Sequence, residues 1–302
     1  MPGLDEAPAF TLTRPPRLSL PVLIAVPHAG RAYPESVTMR MREPELAQLR
    51  LEDRHVDRLG VTAARETGAA LLVAHAPRAL LDLNRAEDDI DWDMIEGGRP
   101  EGVAAPQPGA RGNARARSGL GLVPRRLPGS GEIWRGRLAP TELAERIAHI
   151  HNAYHAALAE ELARIRAEWG AALLIDLHSM PPLRAADGEP RAPVLVLGDR
   201  FGASCHTGLM GRALAHCEAI GLPTAQNRPY SGGYVLDRHG APQAGIHAMQ
   251  IEVCRATYLD RHLAEPGAGL PAVAAMLARL VRELGAEAAL LGGQESFRHA
   301  AE

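Results

Sequence analysis

The 302-residue chain contains no lysine, so all 33 of its basic side chains are arginine. Whatever codon bias lies behind this, it removes the phosphate-loop lysine, the Schiff-base lysine and the lysine general base from the available mechanisms. Cysteine is scarce as well. Cys205, Cys217 and Cys254 are odd in number and none stands in a C-x-x-C pair, so neither a disulfide framework nor a cysteine zinc knuckle is indicated. Charge of one sign is not in excess: 33 arginines face 36 carboxylates, for a net −3. No cationic surplus favours nucleic acid or an anionic membrane. The apolar run at residues 20–26 is too short to span a bilayer, and the opening Met-Pro-Gly-Leu-Asp-Glu-Ala is acidic where a signal peptide is basic. A reducing cytoplasm is the expected setting.

With 46% hydrophobic and 23% charged residues, the chain has material for one large or two small domains around an ample core. Short apolar runs at residues 21–26, 70–74, 172–177, 193–197 and 248–253 read as strands. Between them lie stretches of helical period. Residues 54–66 place Val56, Leu59 and Ala63 on one face, and residues 141–169 repeat Leu143, Ile147, Ile150, Tyr154, Leu158, Leu162 and Ile165, with Thr141 as N-cap. Two further helices are expected at 207–220 and 270–284. Strands apolar on both faces and alternating with helices predict an α/β class with a mostly parallel sheet covered on both sides. The 141–169 face meets either its own core or a neighbouring subunit, which leaves a homo-oligomer open.

Residues 97–137 interrupt this pattern with glycine, proline and arginine and almost no periodicity. They read as a functional loop, a lid or a disordered insertion. Arg111, Arg115, Arg117, Arg125 and Arg126 either clamp an acidic substrate or belong to a solvated loop.

Open α/β sheets bind ligands at the carboxyl ends of their strands, and the informative polar residues fall at such ends. His28 follows Ile24-Ala25-Val26-Pro27, and Asp82-Leu83-Asn84-Arg85 follows Leu80-Leu81. Asp176-Leu177-His178-Ser179 follows Leu173-Leu174-Ile175, and Glu252 lies within residues 249–253. Two histidines and a carboxylate, with one position left for water, make a common hydrolytic zinc site. His28 and His178 are the expected histidine ligands. Arg31 stands where an H-x-x-E pattern would place glutamate, so the carboxylate comes from elsewhere. Asp53 is preferred over Glu52, Asp176 is either a partner of His178 or the ligand itself, and Asp53 alternatively caps the helix that follows it. His55, His75, His149, His151, His155, His216 and His239 read as structural. In a regular strand His247 points away from Gln250 and Glu252.

Together these pieces resemble the N-formylglutamate amidohydrolase family. The resemblance rests on Pro27-His28-Ala29-Gly30, Glu52-Asp53-x-x-Val56-Asp57-x-Leu59, Leu81-Asp82-Leu83-Asn84-Arg85, Ile175-Asp176-Leu177-His178-Ser179-Met180, and Gly232-Gly233-Tyr234 followed by residues 245–252. Residues 119–126 and 132–138, Arg146-Ile147 and Tyr154-His155 add to it, in order, between about Val22 and Tyr258. The resemblance implies a phosphorylase/hydrolase-like three-layer α/β/α sandwich with a mostly parallel central sheet, related to zinc carboxypeptidases and aspartoacylase. It implies a single domain over 1–302 with an inserted loop at 97–137, and removal of a formyl group from N-formylglutamate in histidine degradation. Carried over by position, His28, Asp53 and His178 match the zinc ligands, one zinc per chain, and Glu252 matches the catalytic glutamate. Asn84-Arg85 is similar to the pair that holds a substrate carboxylate in aspartoacylase-like enzymes.

Arginine's planar fork meets a carboxylate with two parallel hydrogen bonds, so Arg85 suits that task. Its alternative is an ion pair with Asp82 or Glu87. Arg228 is a candidate for the other acidic end of the substrate. Tyr234, beside Gly232-Gly233, either steadies a developing oxyanion or sits in an ordinary hairpin turn. The expected partner is a small acidic N-acyl amino acid, with no nucleic acid and no membrane. Two rivals stand beside this reading: a zinc amidase acting on another N-acyl or peptidoglycan-type substrate, and a non-catalytic carboxylate-binding protein of the same fold.

Overall fold

The computed structural model describes residues 8–103, 114–127, 129–185 and 191–299. In chain order its strands are β1 (Phe10–Thr13), β2 (Val22–Val26), β3 (Ala70–Ala74), β4 (Arg126–Leu127), β5 (Gly131–Glu132), β6 (Ala172–Met180), β7 (Leu195–Gly198), β8 (Thr224–Gln226) and β9 (Ile246–Cys254). The α-helices are α1 (Glu35–Thr38), α2 (Pro44–Leu51), α3 (Val56–Thr67), α4 (Ala114–Arg117), α5 (Pro140–Arg146), α6 (Ala153–Trp169), α7 (Thr207–Ala219), α8 (Tyr234–His239) and α9 (Leu270–His299). Contacts group the chain into two compact units.

The larger unit comprises Leu12–Val26, Asp53–Val73 and Ala157–Glu302. Its seven-stranded sheet has the order β1-β3-β2-β6-β9-β7-β8. β3, β2, β6 and β9 pair in parallel, β7 is antiparallel to β9, and β8 is parallel to β7. The expected mostly parallel sheet is therefore present. All of β2 and β6 and nearly all of β9 are buried, which is why these segments read as continuous apolar runs. α3 packs on β2 and β6, and α9 packs on α3, α7 and β6.

β6 and β9 run longer than their apolar stretches suggest. Their ladder extends in register from Ala172 opposite Ile246 to Met180 opposite Cys254, so His178 and Glu252 lie inside the sheet. α9 continues beyond the expected 270–284 to His299. Gly292 within it marks a close approach: a Cβ there would stand 2.2 Å from the Trp169 carbonyl oxygen. The edge strands β1 and β8 escape prediction because they are short and half-exposed.

Three expectations are corrected. Leu80-Leu81 is not a strand: β3 ends at Ala74, and the Leu80 amide donates to the Pro77 carbonyl in a turn. The 141–169 helix is broken into α5, a π-helical stretch at Ile147–Asn152 and α6, and Thr141 is not its cap, because Ala139 is the N-cap and Pro140 occupies the first turn. Gly232-Gly233 makes no hairpin; Gly233 is the N-cap of α8, and Gly232 has φ 98° with Leu236 Cδ2 2.3 Å from where a Cβ would be.

The smaller unit comprises Met1–Thr11, Pro27–Glu52 and Ala74–Ala156. Arginine braces it. Arg125 donates to Asp91 (2.6 Å) and Glu132 (2.8 Å), Arg126 donates to Glu132 (2.8 Å), and the fully buried Arg146 reaches the Leu80 carbonyl at 2.8 Å. Arg125 and Arg126 are thus structural pairs. Arg117 is exposed, while Arg111 and the Arg115 side chain lie outside what is described. The stretch after α4 is packed, with Leu122, Val123, Ile133 and Trp134 buried.

Tyr154, Leu158, Leu162 and Ile165 are buried within the chain itself, so the apolar face of α6 is covered without a second subunit. Among the described residues no helix is long and apolar enough to cross a membrane.

Candidate functional site

The buried polar residues of the sheet are concentrated in the C-terminal halves of two neighbouring strands. Asp176 and His178 share one face of β6, and the register sets Gln250 beside Asp176 and Glu252 beside His178 on β9. All four are buried. Gln250 Nε2 donates to Glu252 Oε1 at 2.9 Å.

His178 has a carboxylate at each ring nitrogen. Asp53 Oδ2 lies 3.1 Å from Nδ1 and Asp176 Oδ2 lies 2.8 Å from Nε2. Burial opposes protonation of this ring, but Asp176, Asp53 and Glu252 together raise its pKa well above the ordinary imidazole value. A histidine that ligates a metal is commonly held by a carboxylate on its other nitrogen. Here Asp176 occupies Nε2, so a cation on this ring takes Nδ1, on the Asp53 side.

Asp53 sits between α2 and α3. Its side chain does not cap α3, whose N-cap is His55 at φ 59° with no side-chain cap bond. The carboxylate instead accepts from Ser179 Oγ (3.3 Å) and Arg255 Nη2 (3.0 Å) through Oδ1.

His28 follows β2 by two residues and is buried. Its Nε2 lies 2.8 Å from Asp82 Oδ1, the same carboxylate support that Asp176 gives His178. Burial opposes the Asp82 charge, yet Arg78, His28 and Arg85 hold its carboxyl well below the ordinary value. His28, Asp53 and His178 are each buried, and each offers a side-chain atom of a kind that ligates zinc. Two imidazole nitrogens and a carboxylate oxygen are a donor set that suits zinc. Glu52 is buried but is not in this group.

The Asn84 backbone N–H donates to Asp82 Oδ1 at 2.8 Å. Arg85 donates from Nε to the Leu120 carbonyl and from Nη1 to the Asn84 carbonyl, both at 3.0 Å, and is 3.9 Å from Asp82 Oδ2. Arg78 is the closer partner of Asp82, at 2.8 Å. His151, in the π-helical stretch, lies 2.9 Å from the Arg85 carbonyl, and His155, one turn on, lies 3.0 Å from that of Leu83. These two histidines pin the Asn84-Arg85 loop by its backbone. Arg228 is exposed, and among the described residues its side chain makes no hydrogen bond or ion pair. Tyr234 accepts from Arg238 Nη1 at 2.7 Å at the start of α8. Sequence reasoning missed Arg255, since nothing distinguishes one arginine just past a strand from the other 32. Gln250 carried a signal, its two-residue spacing from Glu252.

A family model described as N-formylglutamate amidohydrolase matches residues 20–259. An N-formylglutamate deformylase of Pseudomonas aeruginosa is 32% identical over 297 residues, 97% of this chain and 100% of that protein. One of Pseudomonas putida is 32% identical over 80% of this chain and 82% of its own length. The crystal structure of an N-formylglutamate amidohydrolase from Ralstonia eutropha superposes with a TM-score of 0.81 at 30% identity, covering 93% of this chain and 98% of that one. A protein of Agrobacterium tumefaciens shares the fold, with a TM-score of 0.66 at 17% identity and 93% of each chain covered. The buried polar block on β6 and β9 therefore lies in a chain that belongs to the N-formylglutamate amidohydrolase family.

Proposed function

We propose that the chain is a zinc-dependent hydrolase that cleaves N-formyl-L-glutamate to formate and L-glutamate. The observation that carries this is the buried pair of His178 Nδ1 and Asp53 Oδ2, 3.1 Å apart, in a member of this family. The names of the relatives supply the substrate. One zinc per chain is held by His28, Asp53 and His178. When bound, it supplies Lewis-acid polarisation and makes water a competent nucleophile at neutral pH.

The remaining steps belong to the chain's own side chains. Glu252, beside His178 in the sheet, takes the proton of the attacking water as its oxygen joins the formyl carbon. It then delivers that proton to the substrate nitrogen as the C–N bond breaks, leaving formate and a free amine. Gln250 holds one oxygen of Glu252 while this happens. Asn84 and Arg85 orient a substrate carboxylate, and Arg228 meets the other acidic end. This supplies position rather than bond-breaking. On the same reading the sandwich is related to those of zinc carboxypeptidases and aspartoacylase, and the reaction takes place in a reducing cytoplasm, consistent with three free, buried cysteines.

The test is metal analysis of the purified protein, followed by a release assay across N-formyl-, N-acetyl- and N-succinylglutamate. One formyl-to-acetyl step is worth ~1–3 kcal/mol of discrimination in a fitted pocket, so formyl release should lead by about tenfold or more. Glu252→Gln should retain zinc and lose roughly 10²–10⁴-fold in kcat. Full turnover in that variant overturns the role of Glu252, and turnover undiminished after zinc removal overturns the metal.

A further inference from the structure

Arg255 is the first residue after β9 and is nine-tenths buried. Its Nη2 donates to Asp53 Oδ1 at 3.0 Å and its Nε to Ser179 Oγ at 3.1 Å, while Ser179 Oγ donates to the same Asp53 oxygen at 3.3 Å. The three side chains close a triangle on Oδ1. The other oxygen, Oδ2, is the one that lies 3.1 Å from His178 Nδ1. The segment after Arg255 holds the same loop at Arg54: Tyr258 Oη donates to the Arg54 carbonyl at 2.8 Å, and the Arg54 side chain donates from Nε to the Ala264 carbonyl at 2.6 Å.

We infer that Arg255, with Ser179, is a positioning residue that engages one oxygen of Asp53 so that the carboxylate offers a cation the other oxygen alone. An unsupported carboxylate rotates about its last torsion and presents one oxygen or both. A charged, hydrogen-bonded partner on Oδ1 removes that freedom and draws electron density from the ligand. Arg255 thereby sets both how tightly a metal is held and how many oxygens Asp53 gives it. The inference rests on the zinc reading above and goes beyond it.

The experiment measures zinc affinity of the full chain by chelator competition in the parent, Arg255→Gln, Arg255→Lys and Ser179→Ala, together with visible absorption of each protein loaded with cobalt(II). Arg255→Gln should bind zinc about 10–100-fold more weakly and alter the cobalt spectrum as Asp53 becomes free to offer both oxygens. Arg255→Lys should recover part of the loss, and Ser179→Ala should lose about tenfold or less. Should Arg255→Gln fail to fold, Arg255→Lys and Ser179→Ala decide by the same two readouts. Zinc affinities within twofold of the parent and unchanged cobalt spectra overturn the positioning role while leaving the metal site standing. A parent that binds neither metal overturns the zinc reading and this inference with it.

Discussion

Asp176 Oδ2 stands 2.8 Å from His178 Nε2, two residues back on the same face of β6. This spacing uses the strand's own two-residue period to give a buried imidazole a fixed partner. Asp82 supports His28 in the same way from a loop. Both rings are thereby oriented by a carboxylate on Nε2.

Replacing Asp176 with Asn leaves the shape of β6 and removes the charge behind His178. The expected outcome is about a 10–100-fold loss in zinc affinity or turnover with the fold intact by circular dichroism. Chelator competition measures the first quantity, and parental affinity would show that Asp176 is only a packing group.

Arg85→Lys keeps the charge and removes the fork. A two-bond charge-assisted contact is worth roughly 1.5–3 kcal/mol, so KM for an acidic N-formyl amino acid should rise by about ten- to a hundredfold with a smaller change in kcat. Steady-state kinetics separates the two. An unchanged KM removes Arg85 from the substrate pocket. His151→Ala, which frees the Arg85 carbonyl, should move KM in the same direction by less.

His247 is buried on β9, and burial, with His206 nearby, lowers its pKa to about 4. The folded chain thus resists a proton that the unfolded chain accepts near pH 6.5. Its contribution to stability is complete above about pH 6.5 and is lost as pH falls toward 4, by roughly 2–3 kcal/mol. Urea unfolding at several pH values should show a shallower fall between pH 6.5 and 4 for His247→Gln than for the parent. Identical slopes would show that His247 does not titrate this way.

How legible each residue is in the sequence follows from where it sits. In strands buried on both faces, a polar side chain stands out against an apolar run, so His178 and Glu252 were visible as candidates, as was His28 just past β2. Asp53 was visible only as one of several carboxylates near a helix start, because capping and ligation draw on the same residue types. Asp82 reads as a strand-end residue because Leu80-Leu81 is apolar, yet that pair lies in a turn. The π-helical stretch that presents His151 leaves no mark on a 3.6-residue period. Arg255 leaves no local sequence signal, because its role comes from a tertiary contact that joins the end of β9 to the Asp53 loop.

The most direct measurement is a crystal structure of the zinc-loaded protein with anomalous data collected at the zinc edge. One ion per chain is expected, at ~2.0–2.2 Å from Nδ1 of His178, a nitrogen of His28 and one oxygen of Asp53. An anomalous peak elsewhere, or none in protein loaded with zinc, contradicts it.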